Sequence, residues 1–296
     1  MRVTQTMLSN NMLRNLMNGQ SKMDKYMEQL YTGKRISRPS DDPVIAMKGM
    51  HYRGQVTEVE QYKRNLSEVH NWMDNADAGL DKMNLAMQRI RELTVQASTT
   101  TYDDDALKSI KEEVSQLKEQ LREIVNTNVN GKYIFNGKDT STPPMDEDGN
   151  ITFNDEDVMI EISKGNELAV NVRLQDIFHP EDGNTIIEGI DSLLDKLEAG
   201  HSEDLVEIGN TLEVLDKHAS NIINVRADLG ARMNRVELIE NRIDEQEVIA
   251  KKTMSENEDV HFEEAITNLI TQETLHRAAL AAGSRIIQPS LVDFLR

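Results

Sequence analysis

Residues 52–97 read YRGQVTEVEQYKRNLSEVHNWMDNADAGLDKMNLAMQRIRELTVQA. Two largely apolar rows cross this stretch, and each repeats every seven residues. One row is Tyr52, Val59, Leu66, Met73, Leu80, Met87 and Thr94, and the other is Tyr62, Val69, Ala76, Met83, Ile90 and Ala97. Together the rows alternate three- and four-residue steps, which predicts a long helix with a coiled-coil-like seam.

Similar patterning appears on both sides of this helix. A stripe begins at Leu107 after the polar stretch 98–105, so we expect these two helices to fold back as an antiparallel hairpin. A second seven-residue row predicts another long helix over about 203–253. Its members are Ile208, Leu215, Ile222, Leu229, Val236, Ile243 and Ala250. Ser255 and Glu258 fit a capping box that would open a further helix.

The middle of the chain has a different composition. Clusters of Gly, Pro, Asn and Asp separate short alternating runs, which predict strands. The predicted strands are 133–135, 151–153, 158–162 and 168–174. The expected fold class is therefore mainly α with a small β-rich insert, built as a long antiparallel rod of coiled-coil-like helices.

These patterns divide the chain into five segments. They are an N-terminal helix with its joint at 1–42, a helical hairpin core at 43–137, a β-rich insert at 138–183, a returning helical core at 184–253 and a C-terminal helix at 254–296. Both terminal segments carry apolar stripes that lack an obvious partner nearby in sequence. Each stripe can pair with the other across the chain or with another molecule.

Composition excludes several classes of function. The net charge is -19, which argues against a nucleic-acid surface, and the chain has no cysteine. No apolar run is long enough for a membrane span, and residues 1–30 lack the apolar core of a secretory signal peptide. We find no nucleophile, phosphate-loop or metal-ligand motif, so we expect no enzyme, no catalytic residues, no cofactor and no metal.

Residues 32–49, TGKRISRPSDDPVIAMKG, interrupt the helical pattern near the start of the chain. Gly33 suits the left-handed position that ends a helix. Asp42 suits an N-cap, and Pro43 suits the first helical position because its missing N–H costs nothing there. The stretch therefore predicts a joint that ends one helix and starts the next.

This joint resembles a signature near the N-terminus of the flagellin family. Pro39 and Pro43 resemble the variant found in the members that form the hook–filament junction, whereas Ser37 stands where the family usually has Asn. NGKYIFNG at 130–137 and AALAAGSRIIQPSLVDFLR at 278–296 are also similar to family sequences. The resemblance covers about 1–137 and 200–296 and implies a flagellin-like fold.

The resemblance implies a structural adapter that joins the flagellar hook to the flagellin filament. Such a protein is transiently cytoplasmic, leaves through type III export and assembles outside the cell, where its terminal helices become ordered on polymerisation. The implied partners are other copies in a ring, a neighbouring hook-associated protein, flagellin or a filament-side adapter, and an export chaperone, with no nucleic acid and no membrane.

Candidate site residues fall into two groups. The assembly interface is expected at Leu13, Leu16, Met23, Met27, Leu30, Leu269, Ala279, Gly283, Ile286, Leu291 and Phe294. The joint motif comprises Gly33, Arg35, Pro39, Asp41, Asp42 and Pro43, of which Arg35, Asp41 and Asp42 are candidates for polar contacts between subunits or within the joint. Two alternatives stay open: a divergent flagellin that forms the filament, and a cytoplasmic coiled-coil scaffold.

Overall fold

The computed structural model describes residues 5–98, 104–146, 150–154, 156–178, 185–199 and 204–287. The helices are α1 (Gln5–Thr32), α2 (Pro43–Ala97), α3 (Asp104–Val125), α4 (Leu174–Phe178), α5 (Ile186–Ala199), α6 (Asp204–Glu258) and α7 (Phe262–Ile287). The strands are β1 (Asn128–Val129), β2 (Lys132–Tyr133), β3 (Met159–Ser163) and β4 (Asn166–Ala169). The expected class, mainly α with a small β-rich insert, is confirmed.

The chain divides into two compact units. Residues 1–58 and 245–296 form the first unit, and residues 59–244 form the second. The first unit is therefore assembled from the two ends of the chain, whereas the second is one continuous stretch.

The seam predicted over 52–97 forms the spine of the second unit. From Leu66 onward every member of both rows is buried, and Leu215, Ile222 and Leu229 of the α6 row are buried too. Ion pairs between α2 and α6 fix their register, with Arg91 bound to Asp216 and Lys63 Nζ 2.8 Å from Asp244. Residues late in α2 thus face residues early in α6, so the two helices run antiparallel.

The predicted hairpin between α2 and α3 is present. Arg89 of α2 lies 2.7 Å from Glu113 of α3, which is an antiparallel arrangement. On the other side of α3, Lys118 contacts Asp191 of α5. The helices enclose one hydrophobic cluster that also takes in Phe135 and Phe178.

The strands are shorter than predicted and form two hairpins, β1 with β2 and β3 with β4. The predicted strand 168–174 is wrong beyond Ala169. Val170, Asn171 and Val172 are all buried, so they do not alternate, and the Asn171 side chain accepts the Val158 N–H at 2.9 Å. Residues from Leu174 then form the helix α4.

The other strand predictions are also corrected. Ile134 and Phe135 leave the strand to enter the core, since they are 2% and 1% exposed, so β2 ends at Tyr133. The predicted strand 151–153 is reduced to a single bridge between Met145 and Ile151. Short apolar runs in this region are used for burial against helices rather than for pairing.

The capping box predicted at Ser255 and Glu258 is wrong. The helix α6 continues to Glu258 and does not end near 253. Ser255 lies inside it, where its carbonyl accepts the Asp259 N–H at 2.8 Å and its hydroxyl donates to the Asp259 carboxylate. The next helix begins at Phe262, after a short link at 259–261 that pairs with the joint following α1.

Candidate assembly surface

In the first unit, α1 and α7 pack against each other. The Gln272 side chain of α7 donates to the Gly19 carbonyl of α1 at 3.4 Å, and Gly283 contacts the Met12 side chain. Residues late in α7 therefore face residues early in α1, which makes the pair antiparallel. Of the pairings left open by the sequence, the two terminal stripes adopt the intramolecular one in this structure.

The joint between α1 and α2 has the local geometry that its residues favour. Gly33 has φ of 69°, the left-handed conformation that a side chain would strain. Asp42 caps α2, since its carboxylate accepts the Val44 and Ile45 N–H groups at 3.0 and 3.1 Å. Pro43 is the first residue of α2. These features end one helix and start the next within ten residues.

Asp41 organises the loop inside the joint. Its carboxylate accepts the Arg38 N–H at 2.9 Å and the Ser37 N–H at 3.3 Å. The hydrogen bond from Arg38, followed by those from Ser37, holds the pKa of Asp41 below its ordinary value. Asp41 therefore stabilises the loop in its ionised form.

Two chain segments meet at the joint. The Arg35 N–H donates to the Glu258 carbonyl at 2.7 Å, and the Val260 N–H donates to the Gly33 carbonyl at 2.9 Å. The link after α6 is thereby paired with the link after α1. We call this pairing of residues 33–35 with residues 258–260 the crossing. The helix α1 ends just before it, and α7 begins just after it.

The buried side chain of Glu258 binds α2 next to the crossing. This side chain is 5% exposed, and its two oxygens accept Arg53 Nε at 2.6 Å and Arg53 Nη2 at 2.8 Å. This bidentate pair raises the pKa of Arg53. Gly49 makes room for the carboxylate, because a Cβ there would come within 2.6 Å of a Glu258 oxygen.

Lys34 adds a second cation to the crossing. Its Nζ lies 2.7 Å from Asp259 and 3.5 Å from Glu258. The hydrogen bond with Asp259 raises the pKa of Lys34, and the same bond, together with that from Ser255, lowers the pKa of Asp259. The four side chains of Lys34, Arg53, Glu258 and Asp259 form what we call the crossing clamp.

A polar cleft of about 370 Å³ lies between α1 and the joint loop. Its basic side chains are Lys22, Lys25, Lys34, Arg35 and Arg38, and its acidic ones are Asp24, Glu28 and Asp41. The lining carries both charges, and it adjoins the joint motif.

The first unit exposes much of its apolar surface. Among its described residues only Val56 and Ala265 are buried hydrophobics. Large exposed hydrophobics are Met7, Leu13, Met17, Met27, Tyr31, Val44, Met47, Met50, Val248, Ile249, Phe262, Ile266, Ile270, Leu275 and Leu280. Apolar surface on this scale is typical of a surface that binds other proteins.

The predicted interface residues occupy different environments. Leu13 and Met27 are exposed, and Leu16, Met23, Leu30, Leu269 and Ala279 are half-buried. Gly283 is buried, and the structure describes only the backbone of Ile286, in α7. Leu291 and Phe294 lie outside the described residues. In the joint, Arg35 and Pro39 are exposed.

Sequence reasoning missed two parts of this surface. The exposed stripe Val44, Met47 and Met50 has a three-residue spacing just ahead of the seam, so its periodicity was a usable signal. The crossing clamp had no local signal, since Arg53 and Glu258 are 205 positions apart. Within the described part of the chain no helix is long and apolar enough to cross a membrane, and no group of acidic or histidine residues is placed to hold a metal ion.

Comparison with known proteins places these features in a family. Residues 3–140 match the family model described as the bacterial flagellin N-terminal helical region. Residues 212–295 match the bacterial flagellin C-terminal helical region. The two models of one family together cover about three quarters of the chain.

Individual relatives extend over most of its length. The chain is 27% identical to flagellar hook-associated protein 3 of Escherichia coli (strain K12), over 94% of each chain. It is 29% identical to flagellin of Bacillus subtilis (strain 168), over 80% of each. The crystal structure of the flagellar junction protein FlgL from Legionella pneumophila has a similar fold, with a TM-score of 0.60 and 15% identity, covering 72% of this chain and 100% of that one. Matched at both its N-terminal and its C-terminal helical regions, the chain belongs to the flagellin family.

Proposed function

We propose that this protein is a structural adapter that joins the flagellar hook, with its hook-associated proteins, to the flagellin filament. The observation that carries the proposal is the first unit, whose paired helices leave most of their apolar side chains exposed. The similarity to a hook-associated protein over 94% of both chains supports the adapter in particular. Pro39 and Pro43 in the joint agree with it.

Assembly follows from the physics of the exposed faces. Fully burying one Val, Leu, Ile or Met side chain contributes about 1.5–3 kcal/mol, so a few such contacts per neighbour offset the entropy lost on association. We propose that other copies in a ring, a hook-associated protein on one side and flagellin or another adapter on the other cover these faces. Terminal helices that gain such partners become more ordered on polymerisation.

The joint orients the assembling helices. The Asp42 cap, the Asp41 turn and the crossing clamp hold α1 and α7 where they leave the crossing. Arg35 and Asp41 line the polar cleft and supply candidate polar contacts to a neighbour. In this proposal the role of the protein is mechanical, with no catalysis and no cofactor.

Its life cycle follows from the same proposal. The chain is made in the cytoplasm, a flagellar chaperone covers the C-terminal apolar segment, and type III export delivers it to the outer end of the growing hook. The net charge of -19 discourages premature association between copies. The mature location is the extracellular flagellum.

A filament-forming flagellin is the second candidate, supported by the 29% identity to the Bacillus subtilis flagellin over 80% of both chains. The two candidates differ in abundance, because a filament needs many more subunits than a junction. Quantitative mass spectrometry of flagella sheared from cells, compared with the cytosol, tests both.

The adapter predicts that this chain is a small fraction of the major filament protein in the sheared material. A dominant share would make it the filament subunit. If the chain is detected only in the cytosol of motile cells, both flagellar roles are rejected in favour of a scaffold. Deletion of the gene supplies a matched test, since loss of the adapter should leave hooks without filaments while flagellin is still secreted.

A further inference from the structure

Many methionines of this chain are either well exposed or buried, while Met12, Met23, Met233 and Met254 are half-buried. Five of them are exposed in the first unit: Met7, Met17, Met27, Met47 and Met50, with exposed fractions of 56–70%. Four lie in the core of the second unit, where Met73, Met83, Met87 and Met145 are no more than 2% exposed. The contrast separates accessible thioethers from protected ones within a single chain.

A thioether in contact with solvent reacts with peroxide- or hypochlorite-class oxidants. The sulfur lone pair attacks the peroxide oxygen, an S–O bond forms and the O–O bond breaks. The sulfur is oxidised by two electrons, and the proton of the attacked oxygen joins the leaving hydroxide, so hydrogen peroxide is reduced to water. With hypochlorous acid the O–Cl bond breaks instead, and chloride and a proton are released. The product is a polar sulfoxide on a side chain that was apolar before.

The exposed methionines lie on the faces assigned to assembly. Met47 and Met50 form one stripe with Val44 at the start of α2, and Met17 and Met27 lie on α1. A sulfoxide on these faces must lose its water when an apolar surface packs against it, because an apolar surface has no donor to replace that water. Oxidation therefore opposes association and leaves the buried core of the second unit unmodified.

We infer that the exposed methionines of the first unit are oxidation sites: oxidants of the peroxide and hypochlorite class convert these five side chains to sulfoxides and block assembly of the free subunit. The loss of assembly rests on the proposed function, whereas the pattern of oxidation rests on exposure alone. Once neighbours cover these side chains, the same methionines are protected.

Met159 provides an internal control. It is 50% exposed on β3 in the second unit, so it meets oxidant much as the five methionines do, but it lies outside the assembly face. Its oxidation is expected to have no effect on assembly.

The first experiment treats the purified full chain with dilute hydrogen peroxide and maps sulfoxides by peptide mass spectrometry over time. The five methionines and Met159 should be oxidised about tenfold or more faster than Met73, Met83, Met87 and Met145, as their exposure requires. Equal rates in the two groups, or faster oxidation of the buried group, would overturn the proposal whatever the protein assembles with.

The second experiment measures co-sedimentation with isolated hooks that lack this protein, using samples treated with peroxide and then with catalase. Each variant is scored against its own untreated sample. Wild-type binding should fall about tenfold or more after treatment, which corresponds to about 1.4 kcal/mol. A variant with Leu at all five positions should keep its own untreated value within about twofold, since Leu cannot be oxidised.

Met159→Leu should remain as sensitive to peroxide as wild type. Sensitivity that persists in the five-Leu variant would overturn the proposal, because oxidation at these sites would then not be the cause. Absence of hook binding in untreated wild type would refute the adapter function instead, while the sulfoxide map would still decide the site.

Discussion

The helices of the two units carry similar apolar stripes, but these stripes are buried in the second unit and largely exposed in the first. In the second unit the seven-residue rows of α2 and α6 close on each other and on α3 and α5, forming one buried cluster. In the first unit α1 and α7 pair, yet among its described residues only Val56 and Ala265 are buried hydrophobics. An apolar stripe thus indicates that a helix needs a partner, but it does not indicate whether that partner belongs to the same chain.

This difference leads us to propose that the second unit is stable by itself and that neighbours complete the stability of the first. The single tryptophan, Trp72, lies in the second unit and is 6% exposed, so its fluorescence reports that unit alone. Hydrogen exchange at the joint reports the first unit. The two units can therefore be perturbed and followed separately.

The largest effect is expected in the spine of the second unit. Leu80 is fully buried in the seam of α2, so Leu80→Ala leaves a cavity and should cost about 2–5 kcal/mol. Urea unfolding followed by Trp72 fluorescence measures it. Leu238→Ala, at a position of α6 that is 71% exposed, is the matched control and should change stability by less than about 0.5 kcal/mol. Similar losses for both variants would contradict the division into core and surface.

Acid should lower the stability of the two units over different pH ranges. His218 is fully buried with both ring nitrogens unpaired, and burial lowers its pKa from 6.5 to about 4. The unfolded chain binds this proton below pH 6.5 and the folded one does not, so stability is lost as pH falls from 6.5 towards 4. The loss should reach about 2 kcal/mol at pH 5.

In the first unit the pKa values of Asp41 and Asp259 are lowered from 3.8. The stability that these two carboxylates contribute is therefore lost only as the pH falls below 3.8. Their stabilising ionised forms persist above it. His218→Leu should remove the dependence between pH 6.5 and 4 from Trp72-detected unfolding, whereas His51→Gln, an exposed position in the first unit, should retain it. A wild-type chain equally stable at pH 7 and pH 5 would refute this account.

A smaller and local effect is expected at the crossing clamp. Glu258→Gln keeps the size of the side chain and removes the charge that binds Arg53 and Lys34, which should cost about 1–2 kcal/mol in the first unit. Backbone N–H groups of residues 33–38 and 40–42 should exchange faster, while Trp72-detected unfolding stays the same. Glu256→Gln is the control, because its side chain is 69% exposed. Equal exchange in the two variants would mean that the clamp does not hold the joint.

The smallest effect on stability should accompany a large effect on assembly. Ile270 is 58% exposed on α7, so Ile270→Ser should change the stability of the free chain by no more than about 0.5 kcal/mol. Its binding to hooks should fall about tenfold, since an apolar contact is replaced by a polar group. Ile223→Ser, at a 52% exposed position of the second unit, should leave binding unchanged. Equal binding by both variants would remove α7 from the assembly face.

Sequence predicted what is local and periodic. The seam of α2 was readable because each row repeats within one helix, and Gly33 and Asp42 were readable because caps are decided by adjacent residues. The capping box at Ser255 failed because the α6 helix continues to Glu258, whose buried side chain binds Arg53, a partner 205 positions away. The strand 168–174 failed for a similar reason, since burial of Asn171 replaced alternation. Long-range partners of this kind leave no trace in a local pattern.

The crossing after α1 and α6 also determines how the first unit carries load. The hydrogen bonds from Arg35 to Glu258 and from Val260 to Gly33 run across the two segments, so tension on either terminal helix is shared with the other segment. A pull on α1 alone must shear these bonds together with the Lys34 ion pairs before that helix can separate from the segment after α6. A force applied to one terminal helix is thereby distributed over two covalent segments, the one after α1 and the one after α6.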